Sequence, residues 1–420
     1  MRTSIIAVTI LVPAAASAGG YILPNSNPRD LALSQSAVAA QNGAEALFLN
    51  TAALAGQEGL DVSVSGEVLL NQTDWSAPGE MPKSQSQSNF PPALAISYGD
   101  KLDNGMGWGA GVGVNLPAGG SLGWPHDWAG REYIQSVSQR VFAIAVGAAF
   151  QPLPYLKVGA TYLRFQATEE LHQSINFLDH FGDAGLAMSG GANGFGVAVE
   201  FQVPTIPLTI GSTYSHSAHL SLSGHAHFTD VPTSLQTLLH DQGVTEDLTI
   251  PNVFFVGAAY EVIPNLKVMA AYNLERWSTY KSDIFVGAGG FTVTVPRDYK
   301  NAYVFRIGGE WENTPFLPGL TLRAGFLRSI SPQPADTISP SLTDGDSWAP
   351  SIGAGYNVMP NLRIDLGAQV AFLDSVTACT PANGCMSSEA FPGTYKTKVE
   401  FFSLGLNWRS DLAFLSGGKK

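Results

Sequence analysis

The sequence has few charged residues and no long apolar run, and these two shortages narrow the class of protein. Charged residues make up 13% of the 420 residues, well below the roughly 25% of an ordinary soluble domain. Beyond residue 18 no apolar stretch approaches the length of a membrane helix, and Val141 to Phe150 is among the longest. If the chain enters a membrane it must therefore cross as strands, and only a closed barrel satisfies every strand hydrogen bond in hydrocarbon.

Basic residues and cysteines are also scarce. The 22 Lys and Arg residues against 34 Asp and Glu residues give a formal net charge of -12. This balance argues against nucleic acid as a partner, because binding a polyanion needs a basic face. The two cysteines, Cys379 and Cys385, lie in one polar segment. Behind an export signal they predict a small loop disulfide, with free thiols or half of a metal site as alternatives.

The N-terminal residues indicate that the chain is exported. The segment that follows them is apolar enough to require burial. Arg2, an apolar run from Ile5 to Ala16 and the small residues before Gly19 form a cleaved secretory signal, to which we assign residues 1–18. Residues 19–59 lack strand alternation and are rich in alanine and glycine, with weak helical spacing of leucines. A disordered tail is less apolar than this. We predict a hatch, or plug, inside a barrel lumen; an external periplasmic segment is the alternative.

The stretch from Ser347 to Phe372 contains the repeating unit of the chain. Apolar side chains alternate with small or ionisable ones along residues 347–358 and again along 361–372, which is the period-two pattern of strands. The two arms are joined at Met359, Pro360 and Asn361, too few residues for anything but an antiparallel hairpin. Each arm has about ten residues, the length of a tilted strand that crosses a bilayer.

Fourteen such arms can be placed along the chain. They lie near residues 61–70, 91–99, 106–116, 134–150, 155–167, 193–203, 206–222, 248–261, 266–280, 300–312, 319–328, 347–358, 361–372 and 398–409. Short turns alternate with long polar connections, which is typical of an outer-membrane barrel with its turns in the periplasm. The sequence therefore predicts an all-β fold: a transmembrane antiparallel β-barrel of about 14 strands over residues 60–409, the hatch in its lumen, and a periplasmic tail over 410–420.

A series of short motifs runs along the chain: Gly113-Val-Asn-Leu-Pro, Trp128-Ala-Gly-Arg, Leu248-Thr-Ile-Pro, Arg276-Trp-Ser, Asp298-Tyr-Lys-Asn, Leu320-Thr-Leu-Arg-Ala-Gly, Ser331-Pro-Gln-Pro, Asp344-Gly-Asp and Ser351-Ile-Gly-Ala-Gly-Tyr. In order they resemble those of the FadL-type channels for long-chain fatty acids and aromatic hydrocarbons in the bacterial outer membrane. The resemblance spans nearly the whole mature chain and implies fourteen strands with an N-terminal hatch. The chain departs from the family where Asn50, Thr51 and Ala52 replace the usual Asn-Pro-Ala of the hatch, and where residues 410–420 continue past the last arm.

If the large apolar side chains face lipid, the residues that alternate with them along each strand face the lumen. In the periplasmic and middle parts of the barrel these inward-facing residues include charges of both signs. They are Glu67, Lys157, Glu200, Glu261, Lys267, Glu275, Arg306, Glu310, Arg323, Arg363 and Asp365. Most are expected to pair with each other and with the hatch. Arg306, halfway along its arm, is the candidate partner of a ligand carboxylate, because a charge-assisted hydrogen bond contributes about 1.5–3 kcal/mol in a poorly hydrated site.

Near the extracellular ends of the strands, the inward-facing residues are apolar. The residues are Leu69, Leu163, Phe165, Val253, Phe255, Trp277, Val399 and Phe401. A pore for sugars or ions needs charges at this depth, whereas an apolar inner wall forms a pocket for a hydrophobic ligand. The alternative is that these side chains pack only against the hatch or the loops.

Two long connections carry apolar residues that suit a first capture groove for ligand that leaves lipopolysaccharide. Residues 176–188 and 233–244 are predicted to form short amphipathic turns with Phe177, Phe181, Leu186, Leu235, Leu238 and Leu239 exposed unless they face each other. Plain packing of the loops explains the same residues.

The third arm has glycine at alternate positions, namely Gly107, Gly109, Gly111 and Gly113. Glycine in a strand marks a bulge, a kink or a close backbone approach. The family resemblance implies a lateral gate here, through which ligand leaves into the membrane; close contact with the hatch explains the same glycines.

His225 and His227 share a face, but no cysteine or carboxylate cluster at set spacing accompanies them, so we predict neither a metal site nor a cofactor.

These features favour a passive channel for hydrophobic small molecules, with loop capture, pocket binding, hatch rearrangement and lateral release. A diffusion porin, a structural or adhesive barrel and a membrane-embedded hydrolase are the other classes. We expect no enzyme, because no Ser, His and acid set shares one face of the barrel at comparable depth. The expected partners are the ligand, outer-membrane lipid and lipopolysaccharide, and the channel is expected to be a monomer.

Overall fold

The computed structural model describes residues 21–24, 27–102, 104–290, 292–378 and 391–410. The predicted signal peptide, the Cys379–Cys385 pair and the tail beyond Ser410 lie outside the described residues. Within the described ranges, no helix is both long enough and apolar enough to span a bilayer.

Strands make up most of this part of the chain. In order they are β1 (Gly59–Ser76), β2 (Lys83–Asn89), β3 (Pro92–Lys101), β4 (Gly107–Gly123), β5 (Ser136–Leu153), β6 (Leu156–Asn176), β7 (Phe181–Gln202), β8 (Leu208–Ser215), β9 (Ala218–Phe228), β10 (Gln242–Ile250), β11 (Val253–Ile263), β12 (Leu266–Glu275), β13 (Ser282–Gly287), β14 (Thr292–Pro296), β15 (Ala302–Trp311), β16 (Leu320–Ile330), β17 (Ser347–Met359), β18 (Leu362–Leu373), β19 (Val376–Ala378) and β20 (Gly393–Ser410). The helical pieces are α1 (Pro28–Ala32), α2 (Ala46–Leu49) and 3₁₀ turns at Ala37–Ala39, Thr51–Gly56, Trp277–Thr279 and Ala335–Thr337.

The strands form one closed antiparallel barrel. β1 pairs with β20 from Leu60 opposite Ser410 to Ser76 opposite Thr394, and this pairing joins the two ends of the sheet. Six of the barrel strands are interrupted in the described residues, so that β2 and β3, β8 and β9, β10 and β11, β12 and β13, β14 and β15, and β18 and β19 continue one another. The 14-stranded barrel predicted from the sequence is confirmed.

Alternation sorts the side chains into an outer apolar face and an inner polar one. On β20, for example, Leu404 and Leu406 are half exposed on the outside, whereas the neighbouring Ser403 is buried inside. This arrangement is the reverse of a soluble protein and follows from the solvent, because lipid surrounds the barrel where water surrounds a soluble domain.

The strands extend beyond the membrane on the extracellular side, where the sequence pattern predicted long loops. β6 and β7 pair continuously up to Asn176 opposite Phe181, so the prediction of amphipathic turns at residues 176–188 is wrong. Alternation continues through this stretch, with Leu186 and Met188 buried and the residue between them exposed. The outer face of β6 becomes polar from Arg164 upward, which marks the end of the membrane-spanning part of this strand.

The segment 27–58 lies inside the barrel, as predicted for the hatch. Helix α1 packs on β17, β18 and β20, the turn at Ala37–Ala39 packs on β8 and β11, and the turn at Thr51–Gly56 packs on β4, β5 and β6. The segment therefore crosses the lumen from wall to wall.

Asn50 fixes the local turn of the hatch through its side chain. Its Oδ1 accepts a hydrogen bond from the backbone N–H of Ala52 (3.1 Å), and its Nδ2 donates to the carbonyl oxygen of Val38 (2.6 Å). Thr51, which follows, donates from Oγ1 to the carbonyl oxygen of Leu47 (3.3 Å). These bonds hold the turn without the proline that is usual in the resembled family.

Candidate functional site

A cavity of about 190 Å³ lies in the lumen between the hatch and the barrel wall. Four of the predicted pocket residues line it: Leu163 and Phe165 from β6, and Val253 and Phe255 from β11. The hatch contributes Leu47, Phe48 and Leu49 from the opposite side. Because strand parity turns the first group inward and the hatch presents apolar residues to it, the cavity is apolar over much of its wall.

The other four predicted pocket residues lie beside the cavity. Leu69, Val399 and Phe401 pack with Leu116 and Leu327 in a neighbouring buried apolar cluster. Trp277 packs edge-on against Tyr21, with ring centres 4.8 Å apart, in a separate aromatic layer. All eight side chains therefore face inward, but parity does not determine where in the lumen a void remains.

Arg306 on β15 forms the cationic part of the cavity wall. Its Nε donates to Oδ1 of Asn273 (3.0 Å), and its Nη1 donates to the backbone carbonyl oxygen of Ser34 in the hatch (3.0 Å). Its guanidinium carbon lies 5.4 Å from the centre of the Phe255 ring. The side chain therefore joins the hatch, the barrel wall and the cavity.

The carboxylate of Glu275, which also lines the cavity, is bonded to neutral donors. It accepts hydrogen bonds from Nδ2 of Asn273 (2.9 Å) and from Nε1 of Trp277 (3.0 Å). Among the described residues no carboxylate oxygen lies within the 4.0 Å ion-pair distance of Arg306. A buried cation without an ion-pair partner is an unusual feature in an apolar wall and suits an anionic group of a ligand.

A network of ion pairs ties the hatch to the periplasmic half of the wall. Arg29 on α1 donates from Nε (2.9 Å) and Nη2 (2.7 Å) to the carboxylate of Glu310 on β15. Arg323 bridges Glu310 (2.7 Å) and Asp365 (2.6 Å). All of these side chains are buried, so charge-assisted bonds away from water hold the hatch in place. The predicted pairing is confirmed for these charges but not for Glu67, whose buried carboxylate oxygens have no hydrogen-bond partner among the described residues.

The chain matches, over residues 9–409, the model of a protein family described as outer membrane protein transport protein (OMPP1/FadL/TodX). The chain belongs to this family. No curated protein sequence matches it significantly. Family membership and the barrel together place the chain in the bacterial outer membrane and make it a transport channel rather than an enzyme.

Several solved structures share the fold. A FadL homologue of Pseudomonas aeruginosa has a TM-score of 0.82 at 17% identity, covering 93% of this chain and 100% of that one. The toluene transporter TodX of Pseudomonas putida has a TM-score of 0.69 at 16% identity, covering 93% and 99%. The toluene transporter TbuX of Ralstonia pickettii has a TM-score of 0.65 at 18% identity, covering 91% and 98%. At these identities the similarity establishes the fold alone.

The glycines of the third arm of this FadL-type chain lie where the hatch touches the wall. A Cβ atom at Gly107 would overlap the carbonyl oxygen of Ala55, and one at Gly109 would overlap that of Leu54. At Gly113 it would come within 2.7 Å of the Phe48 ring. Close contact with the hatch therefore accounts for three of these glycines.

The wall is interrupted just above these glycines. β3 and β4 pair in register along Gly107–Gly113 and stop at Leu94 opposite Val114. β4 then bulges between Asn115 and Ala118. Residues 21–23 lie across this interruption: the N–H of Leu23 donates to the carbonyl oxygen of Pro117 (2.9 Å), and the N–H of Gly119 donates to that of Tyr21 (2.8 Å).

The two predicted capture segments of the FadL-type chain face each other. Phe177 and Leu239 are buried in a small cluster that Leu235 partly joins. Leu186 lies in the main buried cluster instead. Phe181 and Leu238 remain exposed, and the guanidinium carbon of Arg131 lies 4.1 Å from the centre of the Phe181 ring. Packing covers much of the predicted groove, which leaves a smaller apolar surface than the sequence indicated.

His225 and His227 lie on the outer face of the barrel in the extracellular part. They line an outward-facing groove together with His126 and His172, and Nδ1 of His227 lies 2.5 Å from Oδ2 of Asp241. In the part of the chain that the structure describes, no three His, Cys, Asp or Glu side chains are grouped so as to hold a metal ion.

A buried acidic cluster above the membrane was not predicted. Glu169, Glu246 and Asp283 are buried there, and Nε of Arg297 donates to Asp283 (2.7 Å). Burial raises the pKa of Glu169 and of Glu246, and the charge of Asp283 adds to both shifts, whereas a hydrogen bond with Glu246 offsets part of the shift of Glu169. Glu169 shares its inward parity with Phe165, but it lies between the predicted arms 155–167 and 193–203, where the polar sequence indicates a connection and not a strand.

The Glu169 side chain is expected to make stability depend on pH. A carboxyl group whose pKa is raised by folding stabilises the folded state fully at acid pH, and this contribution is lost as pH rises above about 4.3 and through the folded pKa. Thermal unfolding in detergent between about pH 5 and pH 9 should therefore show a falling midpoint for the wild type, and a shallower fall for Glu169→Gln.

The adjacent Glu170, exposed on the outer face, supplies the control. Glu170→Gln should keep the wild-type pH dependence. Identical slopes for Glu169→Gln and the wild type would show that this buried cluster does not titrate as described.

Proposed function

We propose that this FadL-type chain carries hydrophobic small molecules across the outer membrane by way of the lumen cavity. The cavity between Phe165 and Phe255 carries the proposal, because apolar side chains of the wall and the hatch enclose it in the outer half of the lumen. An open diffusion porin is disfavoured, since the hatch and its ion pairs fill the bore beneath. Two proteins of the same fold are toluene transporters, which agrees with an apolar cargo.

The ligand class we favour is a molecule with an apolar body and a carboxylate, as in a fatty acid. Arg306 supplies the cation, and its buried position without an ion-pair partner among the described residues makes an anionic group favourable there. The cavity of about 190 Å³ is smaller than the roughly 300–1,000 Å³ typical of ligand pockets. A ring or a short chain fits this volume, whereas a long chain requires Phe48 and Leu49 of the hatch to move.

Arg306 also provides a route from ligand binding to hatch rearrangement. A carboxylate at Arg306 competes with the carbonyl oxygen of Ser34, which now accepts from Nη1 (3.0 Å). Ser34 and Gln35 have φ values of 48° and 57°, a left-handed conformation that costs a non-glycine residue about 1–3 kcal/mol. Loss of the Arg306 bond therefore releases a strained turn of the hatch.

After the hatch has moved, the ligand is released laterally beside the third arm. Capture at the extracellular loops precedes binding in the cavity and release. The exit is the interruption of β4 at Leu116 and Pro117, which opens when residues 21–23 move aside. Capture uses the exposed Phe181 and Leu238 near the surface of lipopolysaccharide, with Phe177, Leu235 and Leu239 behind them. One barrel contains the whole route, so the channel functions as a monomer.

Replacing Arg306 by methionine tests the carboxylate assignment. Equilibrium binding to the purified protein in detergent should show that Arg306→Met lowers the affinity for laurate by about 10-fold to 150-fold, the loss of one charge-assisted hydrogen bond. The affinity for toluene, which has no charge, should stay within about twofold of the wild type.

Arg306→Lys keeps the charge and should retain most of the laurate affinity. Equal losses for laurate and toluene in Arg306→Met would assign Arg306 a structural role. If the wild type bound neither compound, the proposed function itself would be refuted.

A further inference from the structure

The wall around the cavity is broken at a second place, between β7 and the joint of β8 and β9. β7 pairs with β9 as far as Gly191 opposite Ser221, and with β8 from Gly196 opposite Ser215. Between these two ladders, residues 192–195 of β7 lie opposite residues 216–220, which join β8 to β9. Four residues thus face five, and no regular strand pairing connects them. Across this stretch the N–H of His216 donates a hydrogen bond to the carbonyl oxygen of Phe195 (2.9 Å).

The next strand is interrupted at the same height. β9 and β10 pair as far as Ala218 opposite Ile250, and β8 and β11 pair from Ser215 opposite Val253. Pro251 and Asn252 fall between these two ladders, and proline has no N–H to donate. Two adjacent joints therefore interrupt the regular backbone ladder at one point, where the Asn252 side chain accepts hydrogen bonds from the Ser217 N–H (3.0 Å) and the Tyr214 hydroxyl (2.8 Å).

The lumen cavity reaches this point. Its lining includes Gly196 and Ser215, and also Val197, Tyr214 and His216. Alternation along β7 turns Val197 to the outer face, where its side chain is 49% exposed, and His216 is exposed as well. The cavity lining thus includes residues with outward-facing side chains, at the height of the two breaks in the wall.

Lipid surrounds the wall at this point. Phe195, Val197 and Phe254 are exposed on the outer face around it, and the Phe195 ring stacks on His216 with ring centres 4.8 Å apart. Tyr162 lies opposite Phe195 on β6 and is half exposed. Aromatic residues collected at one height mark the membrane–water interface, so this point lies at the outer leaflet.

Gly196 leaves space on the lumen side of this point. A Cβ atom at Gly196 would have Tyr214 O at 3.4 Å and Ser215 Oγ at 3.7 Å as its nearest heavy atoms. Both are ordinary van der Waals distances, so space remains beside the backbone. At the interruption of β4, in contrast, residues 21–23 are hydrogen-bonded along the strand.

We propose that the wall at this point, framed by Gly196, Ser215 and the Phe195–His216 stack, is a lateral window through which ligand dissolved in the outer leaflet enters the cavity. It takes hydrophobic molecules that partition into lipid, and it supplies a second entry beside capture at the extracellular loops. The window rests on the proposed function, since the cavity has to be the ligand site. Entry at β7 and exit at β4 then give the two ends of the route separate openings.

A larger side chain at Phe195, which frames the window but lies outside the cavity lining, should obstruct the window without altering the fold. In cells that produce the channel, Phe195→Trp should lower the initial rate of uptake of radiolabelled laurate by about threefold or more. The dissociation constant for laurate, measured in detergent where the pocket is also reached by other routes, should stay within about twofold of the wild type.

The matched control is Phe402→Trp, because Phe402 on β20 is exposed on the outer face to nearly the same extent as Phe195. Its uptake should equal that of the wild type. Equal uptake by Phe195→Trp and Phe402→Trp would overturn the window. Loss of laurate binding by Phe195→Trp in detergent would also overturn it, since Phe195 would then act on the pocket itself. Failure of the wild type to bind or take up laurate and toluene would instead refute the proposed function.

Discussion

Replacing Glu310 with alanine is expected to loosen the hatch and to make the closed channel conduct small ions. The Glu310 carboxylate accepts hydrogen bonds from Arg29 of the hatch (2.7 and 2.9 Å) and from Arg323 of the wall (2.7 Å). Its removal leaves two buried guanidinium groups without this partner, and breaking a buried ion pair in this way costs about 3–5 kcal/mol. The chain relieves that cost when Arg29 moves into water, which withdraws helix α1 from its contacts with the wall.

Planar bilayer recordings measure this effect. The wild type should show almost no stable conductance, and Glu310→Ala should show frequent openings. Glu312→Ala is the control, because Glu312 is partly exposed and lies 3.5 Å from Lys267, where an ion pair contributes little. A Glu310→Ala channel as closed as Glu312→Ala would show that the ion pairs do not hold the hatch.

Replacing Phe255 with arginine is expected to abolish ligand binding, a loss of at least about 100-fold in affinity. Phe255 lines the cavity and its ring lies 5.4 Å from the guanidinium carbon of Arg306. A second cation there repels the first, and the apolar wall loses its aromatic face. Water drawn in around two guanidinium groups then occupies the space that the ligand needs.

Phe255→Leu is the matched variant, because it keeps an apolar side chain at the same position and should retain binding within about tenfold. Phe401→Arg differs in its expected effect, since Phe401 packs in the neighbouring cluster and its replacement should lower thermal stability first. Wild-type uptake by a Phe255→Arg, Phe401→Arg double variant would contradict the assignment of the cavity as the ligand site.

The barrel was predictable because apolar and polar side chains alternate along each of its strands. One face in lipid and one face in the lumen impose alternation on every crossing strand, and this fixed the strand number and the inward direction of Phe255 and Phe401. The hatch was predictable for a related reason, since a non-alternating segment rich in alanine needs burial. The extracellular strands were missed because their outer face meets water, and a polar outer face with glycines looks like a loop.

The candidate site itself was predictable only in part. Parity placed Arg306 and the eight apolar residues on the inner face, but the position of the void depends on how far Phe48 and Leu49 of the hatch project into the lumen. That depends on the path of residues 27–58 and on contacts far apart in sequence, such as Arg306 with Ser34. The break beside Gly196 depends on the register of two ladders, which alternation along one strand does not reveal.

The most direct test is a structure of the protein determined with laurate bound. The account predicts density for the acyl chain between Phe165 and Phe255, with the carboxylate on the Arg306 guanidinium and the Ser34 carbonyl oxygen displaced from it. A cavity that contains only ordered water, with laurate bound solely outside the barrel, would contradict the account.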